Sequence, residues 1–112
     1  GLMDVIADNC SAGSYILGPK IKKTTDVDLA NLAMNLQANG KILEQGFSRA
    51  VSGNPIHSLL ALVELLSREG KSLKAGDIVL SGAATAAITL SAGMDITEQV
   101  EILGETKIKI KC

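Results

Sequence analysis

Residues 53–85 constrain the fold more than any other stretch of this chain. Gly53-Asn54-Pro55 opens the stretch, an apolar segment follows, and Gly76-Asp77-Ile78-Val79-Leu80-Ser81-Gly82-Ala83-Ala84-Thr85 closes it. Asn54 can cap a helix, and Pro55 suits a first helical turn because its missing N–H would be unpaired there anyway. Ile56, Leu59, Leu60, Val63 and Leu66 then recur at spacings of three and four, and Leu62 and Leu65 widen the stripe. His57, Glu64 and Arg68 fall on the opposite face, and Glu64 and Arg68 are four apart, which favours pairing. Gly70 stands where a glycine ends a helix. The pattern predicts a helix over 53–70, packed on a sheet, with Leu59, Leu60, Val63 and Leu66 buried. It then predicts a turn at Lys74–Asp77, a short strand at Ile78–Leu80 and a small-residue loop where that strand ends. Such strand ends are where folds let ligands approach the backbone.

The flanking sequence reads mainly as strands. Leu32, Met34 and Leu36 alternate with Ala33, Asn35 and Gln37, the pattern of a half-buried strand. Asn39-Gly40 predicts a type I′ hairpin, whose two central residues both need positive φ. Lys41–Phe47 is the returning strand, and its adjacent Ile42 and Leu43 leave the buried face undecided. Ile88 and Leu90 predict another strand, and Val100 and Ile102 alternate around Glu101. Gly104-Glu105 reads as a two-residue turn into Thr106–Lys111, where lysines alternate with Ile108 and Ile110 as on a sheet edge or outer face.

Composition limits the function. A chain of 112 residues is one domain or part of one. It has no Trp, and Tyr15 and Phe47 are its only other aromatics, so the core must be aliphatic. A net charge of −1 supplies no attraction for nucleic acid or an acidic membrane, and base-stacking platforms would need aromatics that are missing. No apolar run approaches the roughly 18 residues of a membrane span. The two cysteines, Cys10 and Cys112, favour reduced thiols and a cytoplasmic setting over a disulfide framework.

Ala7-Asp8-Asn9-Cys10-Ser11, followed by Leu17-Gly18, resembles a segment of the 2-oxo-acid hydratases and decarboxylases of the fumarylacetoacetase-like superfamily. Gly53-Asn54-Pro55, Leu73-Lys74-Ala75-Gly76-Asp77, Ser81-Gly82-Ala83-x-Thr85 and Leu103-Gly104 continue the resemblance in order over essentially the whole chain. The resemblance implies an α+β fold: a mostly β, mixed, curled sheet with one long helix packed on it. It implies a lyase, acting on a short 2-oxo acid in the degradation of aromatic compounds and assembled as a homo-oligomer. Decarboxylation of 4-oxalocrotonate is the nearer expectation, and hydration of 2-oxopent-4-enoate is the alternative. An interaction or folding fragment without catalysis is the alternative of another class.

The same resemblance implies a divalent metal, magnesium or manganese, held by glutamates that in the family precede the Ala-Asp-Asn segment. Residues 1–112 are thus expected to be the C-terminal part of a catalytic domain, with no metal ligands in this chain and no tight metal binding by it alone. Ser11 is the expected catalytic residue, matching a serine beside the 2-oxo acid. Asp8, Asn9 and Thr85 are the expected substrate-binding residues, although Asp8, Asn9 and Ser11 are also the types that fix a turn through backbone hydrogen bonds. His57 is expected as a surface or interface histidine, Asp26 and Asp28 as a solvated turn, and Glu98 and Glu101 as surface charges. The sequence departs from the family at Gly46-Phe47-Ser48-Arg49-Ala50, where small residues are usual, and at Met94 before Asp95.

Overall fold

The computed structural model describes residues 13–21 and 25–111. Its frame is a four-stranded sheet made of β1 (Ala33–Ala38), β2 (Lys41–Phe47), β3 (Asp95–Val100) and β4 (Gly104–Lys109), in the order β2-β1-β3-β4. Every pairing is antiparallel, so the sheet of the described residues is not mixed. The β1–β2 hairpin turns at Asn39-Gly40 with φ of 50° and 80°, the double positive φ that a type I′ turn needs. The Asn39 N–H donates to the Asp95 carbonyl (2.8 Å), and Asn39 Oδ1 accepts from the Asp95 N–H (2.9 Å). The tip of the hairpin thereby fixes where β3 begins.

The last hairpin differs from the sequence expectation. The turn lies at 101–103, with Ile102 at φ 68°, and Gly104-Glu105 already belong to β4. Glu101 explains the placement. Its N–H donates to the Ala33 carbonyl (2.8 Å) and its carboxylate accepts from the Ala33 N–H (3.1 Å), which stops β3 at Val100 and starts the turn. Glu101 is therefore a strand-end lock and not a free surface charge.

A single α-helix, α1 (Pro55–Arg68), follows a 3-10 turn at Ser48–Ala50. Asn54 Oδ1 accepts from the Ile56 N–H (2.9 Å), and Pro55 is the first helical residue, as the sequence predicts. At the other end the Gly70 N–H donates to the Ser67 carbonyl (3.0 Å) and the Lys71 N–H to the Leu66 carbonyl (2.8 Å). That is the Schellman pattern, and it needs Gly70 at its φ of 67°.

The burial expected of α1 is not observed. No residue of the helix is buried. Leu59, Leu62 and Leu66 are half-buried, while Val63 is exposed and Leu60 is 60% exposed. The helix does not lie on the sheet, because the Ser81–Thr85 loop occupies the sheet face instead. Leu62 looks onto Leu73 and Ile78–Leu80 across an open cleft.

Ile78–Leu80 and Ile88–Leu90 likewise form no strands, and Leu80 is 60% exposed. An apolar extended segment becomes a strand only beside another strand that takes its N–H and C=O groups. Among the described residues none is adjacent to either segment. The core is correspondingly small: Leu32, Ala38, Val51 and Ile96, with the hydroxyl-bearing Ser48 among them.

Candidate functional site

The two sheet faces differ in chemistry. On one, Gln37 Nε2 donates to Asn35 Oδ1 (2.8 Å) and Gln99 Oε1 (3.0 Å), and Asn35 Nδ2 donates to the same Gln99 oxygen (3.2 Å). Gln99 Nε2 then donates to a Glu105 oxygen (3.1 Å), and Lys107 Nζ stands 2.8 Å from Glu105. The hydrogen bonds from Lys107 and Gln99 hold the Glu105 carboxyl below the usual carboxylate range. These side chains satisfy one another and leave few groups free for a ligand.

The other face carries a cleft of about 370 Å³. Met34 and Leu36 of β1 form its floor. Ser48, Val51 and Pro55 form one wall, and Ser81–Thr85 forms the other. Glu98 reaches it from β3, where it stands opposite Leu36 in register. Each wall has a local cause. The Ser48 N–H donates to the Leu32 carbonyl (2.9 Å), and the Ser48 hydroxyl accepts from the Leu32 N–H (2.9 Å). Ser48 is 3% exposed and Leu32 4%, so this double bond fixes the 3-10 turn to the root of β1. Val51 and Pro55 follow from that fixed point and from the Asn54 cap.

The opposite wall depends on two glycines. A Cβ at Gly46 would collide with the Ala84 carbonyl oxygen and lie 3.3 Å from Thr85 Cγ2. The bare backbone of β2 is what lets the 84–85 loop lie against the sheet. Gly82, at φ 129°, turns the loop in a conformation that side chains rarely adopt, and its own Cβ would meet Val51 Cγ1 at 3.2 Å. The result is a small apolar recess with hydroxyl groups at Ser81 and Thr85 and a carboxylate at Glu98.

Of the residues expected at a site, Thr85 lines this cleft. Ser11, Asp8, Asn9 and Cys10 lie outside the described residues. His57 is exposed, away from the cleft, and its Nδ1 is 3.0 Å from the Ser52 carbonyl. A carbonyl only accepts, so Nδ1 carries the hydrogen and the ring braces the turn before α1. Asp28 Oδ1 accepts from the Ala30 N–H (3.0 Å), which makes it a turn residue. Glu98, expected as a plain surface charge, instead faces the cleft. A signal for it is present in the sequence: in β3 it keeps phase with Ile96 and Val100, so it must share their face. Among the described residues no three His, Cys, Asp or Glu side chains stand close enough to hold a metal ion. Those residues therefore do not fit a metal centre by themselves. No helix among them is long and apolar enough to cross a membrane.

Comparison with known proteins places this geometry in a wider setting. The fumarylacetoacetate (FAA) hydrolase C-terminal family matches residues 2–111. A 4-oxalocrotonate decarboxylase of Pseudomonas sp is 42% identical over 103 residues, covering 92% of this chain and 40% of the relative. The 2-keto-4-pentenoate hydratase 2 of Dechloromonas aromatica (strain RCB) is 33% identical over 102 residues, covering 91% of this chain and 39% of the relative. The solved 4-oxalocrotonate decarboxylase from Pseudomonas putida G7, complexed with magnesium and adipate, superposes with a TM-score of 0.91 at 32% identity. That superposition covers 97% of this chain and 41% of the other. The same enzyme complexed with calcium and acetate gives the same TM-score. The chain thus spans about two fifths of the length of the relatives it matches.

Proposed function

This chain belongs to the fumarylacetoacetate (FAA) hydrolase C-terminal family, and from that premise we propose that it is the C-terminal part of a lyase acting on a short 2-oxo acid. The observation that carries the reading is the cleft built on Gly46 and Gly82, with Ser81 and Thr85 at one wall. Two hydroxyl donors beside an otherwise apolar recess suit a small carboxylate: the hydroxyls bond its oxygens, and Met34, Leu36, Val51 and Pro55 keep water from competing for them. In the proposed enzyme Thr85 holds a substrate carboxylate, and Ser11, Asp8 and Asn9 approach it from the segment before residue 13, with Ser11 acting on the substrate directly.

The nearer reading is decarboxylation of 4-oxalocrotonate, supported by the 42% identity to a decarboxylase of that name. Hydration of 2-oxopent-4-enoate is the second reading, supported by the match to pentenoate hydratases at similar coverage. The relative's calcium and magnesium support a divalent metal, magnesium or manganese. When bound, such an ion supplies Lewis-acid stabilisation of negative charge. We place its ligands outside this chain, in a longer polypeptide that completes and curls the sheet and assembles as a cytoplasmic homo-oligomer.

The test is steady-state kinetics of the complete protein with 4-oxalocrotonate and with 2-oxopent-4-enoate, in Mg²⁺ and in Mn²⁺. Ser11→Ala is expected to lower turnover about ten- to a hundredfold while leaving the fold intact, the loss of one hydrogen bond of roughly 1–3 kcal/mol made in the transition state. Unchanged kcat and kcat/KM would make Ser11 a turn residue. No turnover of either acid by the parent protein would refute the lyase reading.

A further inference from the structure

We propose that Glu98 is a proton-carrying catalytic residue of the cleft, delivering the proton that the substrate's enolate takes up in each turnover. The inference rests on the reading of this chain as part of a 2-oxo-acid lyase. It starts from the cleft's composition. Of the residues that line it, only Glu98 has a side chain that gains or loses a proton near neutral pH; the rest are aliphatic, glycine, proline, methionine or hydroxyl-bearing. Thr85 and Ser81 can orient a substrate, but their hydroxyls are too weakly acidic to supply a proton. His57, the chain's only histidine, is held at Ser52 outside the cleft.

Position supports the assignment. Glu98 pairs with Leu36 on one side and Thr106 on the other, so it stands one strand from the cleft floor and faces the loop that carries Thr85. The elements around it bring few charges. On β2, Glu44 shares this sheet face across Leu36. On β1, the neighbours are Met34 and Leu36; on β4, Thr106 and Ile108 face this side, while Lys107 and Lys109 alternate to the other. The Ser81–Thr85 loop carries no charge. Among the described residues no ion pair or side-chain hydrogen bond engages the Glu98 carboxylate. A structural glutamate at a strand end is tied to the backbone, as Glu101 is to Ala33. Glu98 is not.

The step balances as follows. In decarboxylation the carbon–carbon bond to the departing carboxylate breaks, and its electron pair passes through the conjugated chain to the 2-oxo oxygen. Carbon dioxide leaves, and the resulting enolate takes one proton from the Glu98 carboxyl group. Glu98 is left as a carboxylate and regains its proton from solvent at the cleft mouth. The net change is one proton consumed per carbon dioxide released.

The experiment uses the complete protein with saturating Mg²⁺. Glu98→Gln keeps the shape and hydrogen-bonding reach but cannot carry the proton, so kcat should fall about 10²–10⁴-fold, with KM changed less than about threefold. The limb of the kcat–pH profile that requires a protonated acid should disappear. Glu98→Ala should regain activity with added formate or acetate, which a merely structural role would not allow, and Glu98→Asp should retain part of it. If the parent protein is active and Glu98→Gln keeps its kcat and pH profile, the assignment of Glu98 is overturned while the lyase reading stands. If the parent protein turns over no 2-oxo acid, the lyase reading fails and this inference falls with it.

Discussion

Gly46→Ala tests whether the cleft owes its shape to a missing side chain. Gly46 pairs with Met34 in the middle of the β1–β2 ladder, in ordinary strand conformation, so alanine suits its backbone. In an open strand that change would stabilise the protein by about 0.4–1 kcal/mol, because it restricts the unfolded chain. Here the new methyl would overlap the Ala84 carbonyl oxygen and press on the Ala84 carbonyl carbon and Thr85 Cγ2, each at 3.3 Å. The obstacle is backbone, which cannot rotate aside as the tip of a side chain can. Overpacking of this kind costs about 1–3 kcal/mol. The contact term exceeds the entropic gain, leaving a net loss of about 1–2 kcal/mol. For a domain of this size that is a fall in Tm of about 4–16 °C. The relief available is to lift the 84–85 loop off β2, so Thr85 should move with it. Urea or thermal unfolding gives the first number, and amide chemical shifts of Ala84 and Thr85 report the second. An alanine variant with equal or higher Tm and unmoved Thr85 resonances would show that the loop does not rest on β2, and the wall of the cleft would lose its explanation.

Two further outcomes follow from single contacts. Asn54→Ala removes the side chain that accepts from the Ile56 N–H and should lower stability by about 1 kcal/mol, read from helix content and thermal unfolding; Asn54→Asp should restore most of it, and a loss from both would point to a role other than capping. Glu105 should titrate below the chain's other glutamates, because Lys107 and Gln99 donate to its ionised form. Its folded-state pKa is depressed, so its stabilising contribution is present above the unfolded value of roughly 4.3 and is lost as pH falls through the lower folded value. Carboxyl-carbon NMR titration of the parent and of Lys107→Met checks this: the variant should move Glu105 back toward the ordinary range, and no movement would remove Lys107 as the cause.

The sequence by itself determined the features whose partners are near in the chain. Asn54, Pro55 and Gly70 mark both ends of α1 because a cap bonds only to the first or last turn of its own helix. Asn39-Gly40 set the first hairpin because its turn type depends on two residues' φ alone. Motif order along the chain was likewise legible, and with it the family. Tertiary structure decided everything that depends on what lies opposite. Alternation shows which residues share a face but not which strand pairs with them, so Val100 and Ile102 passed for one strand until the Glu101–Ala33 bonds ended it at Val100. That misplaced end also hid the phase of Glu98. The leucines of α1 have the spacing of a buried stripe, yet they remain half-covered or exposed because the Ser81–Thr85 loop, and not the helix, occupies the sheet face. Burial is a property of two surfaces, and the periodicity of one strand or helix specifies only its own.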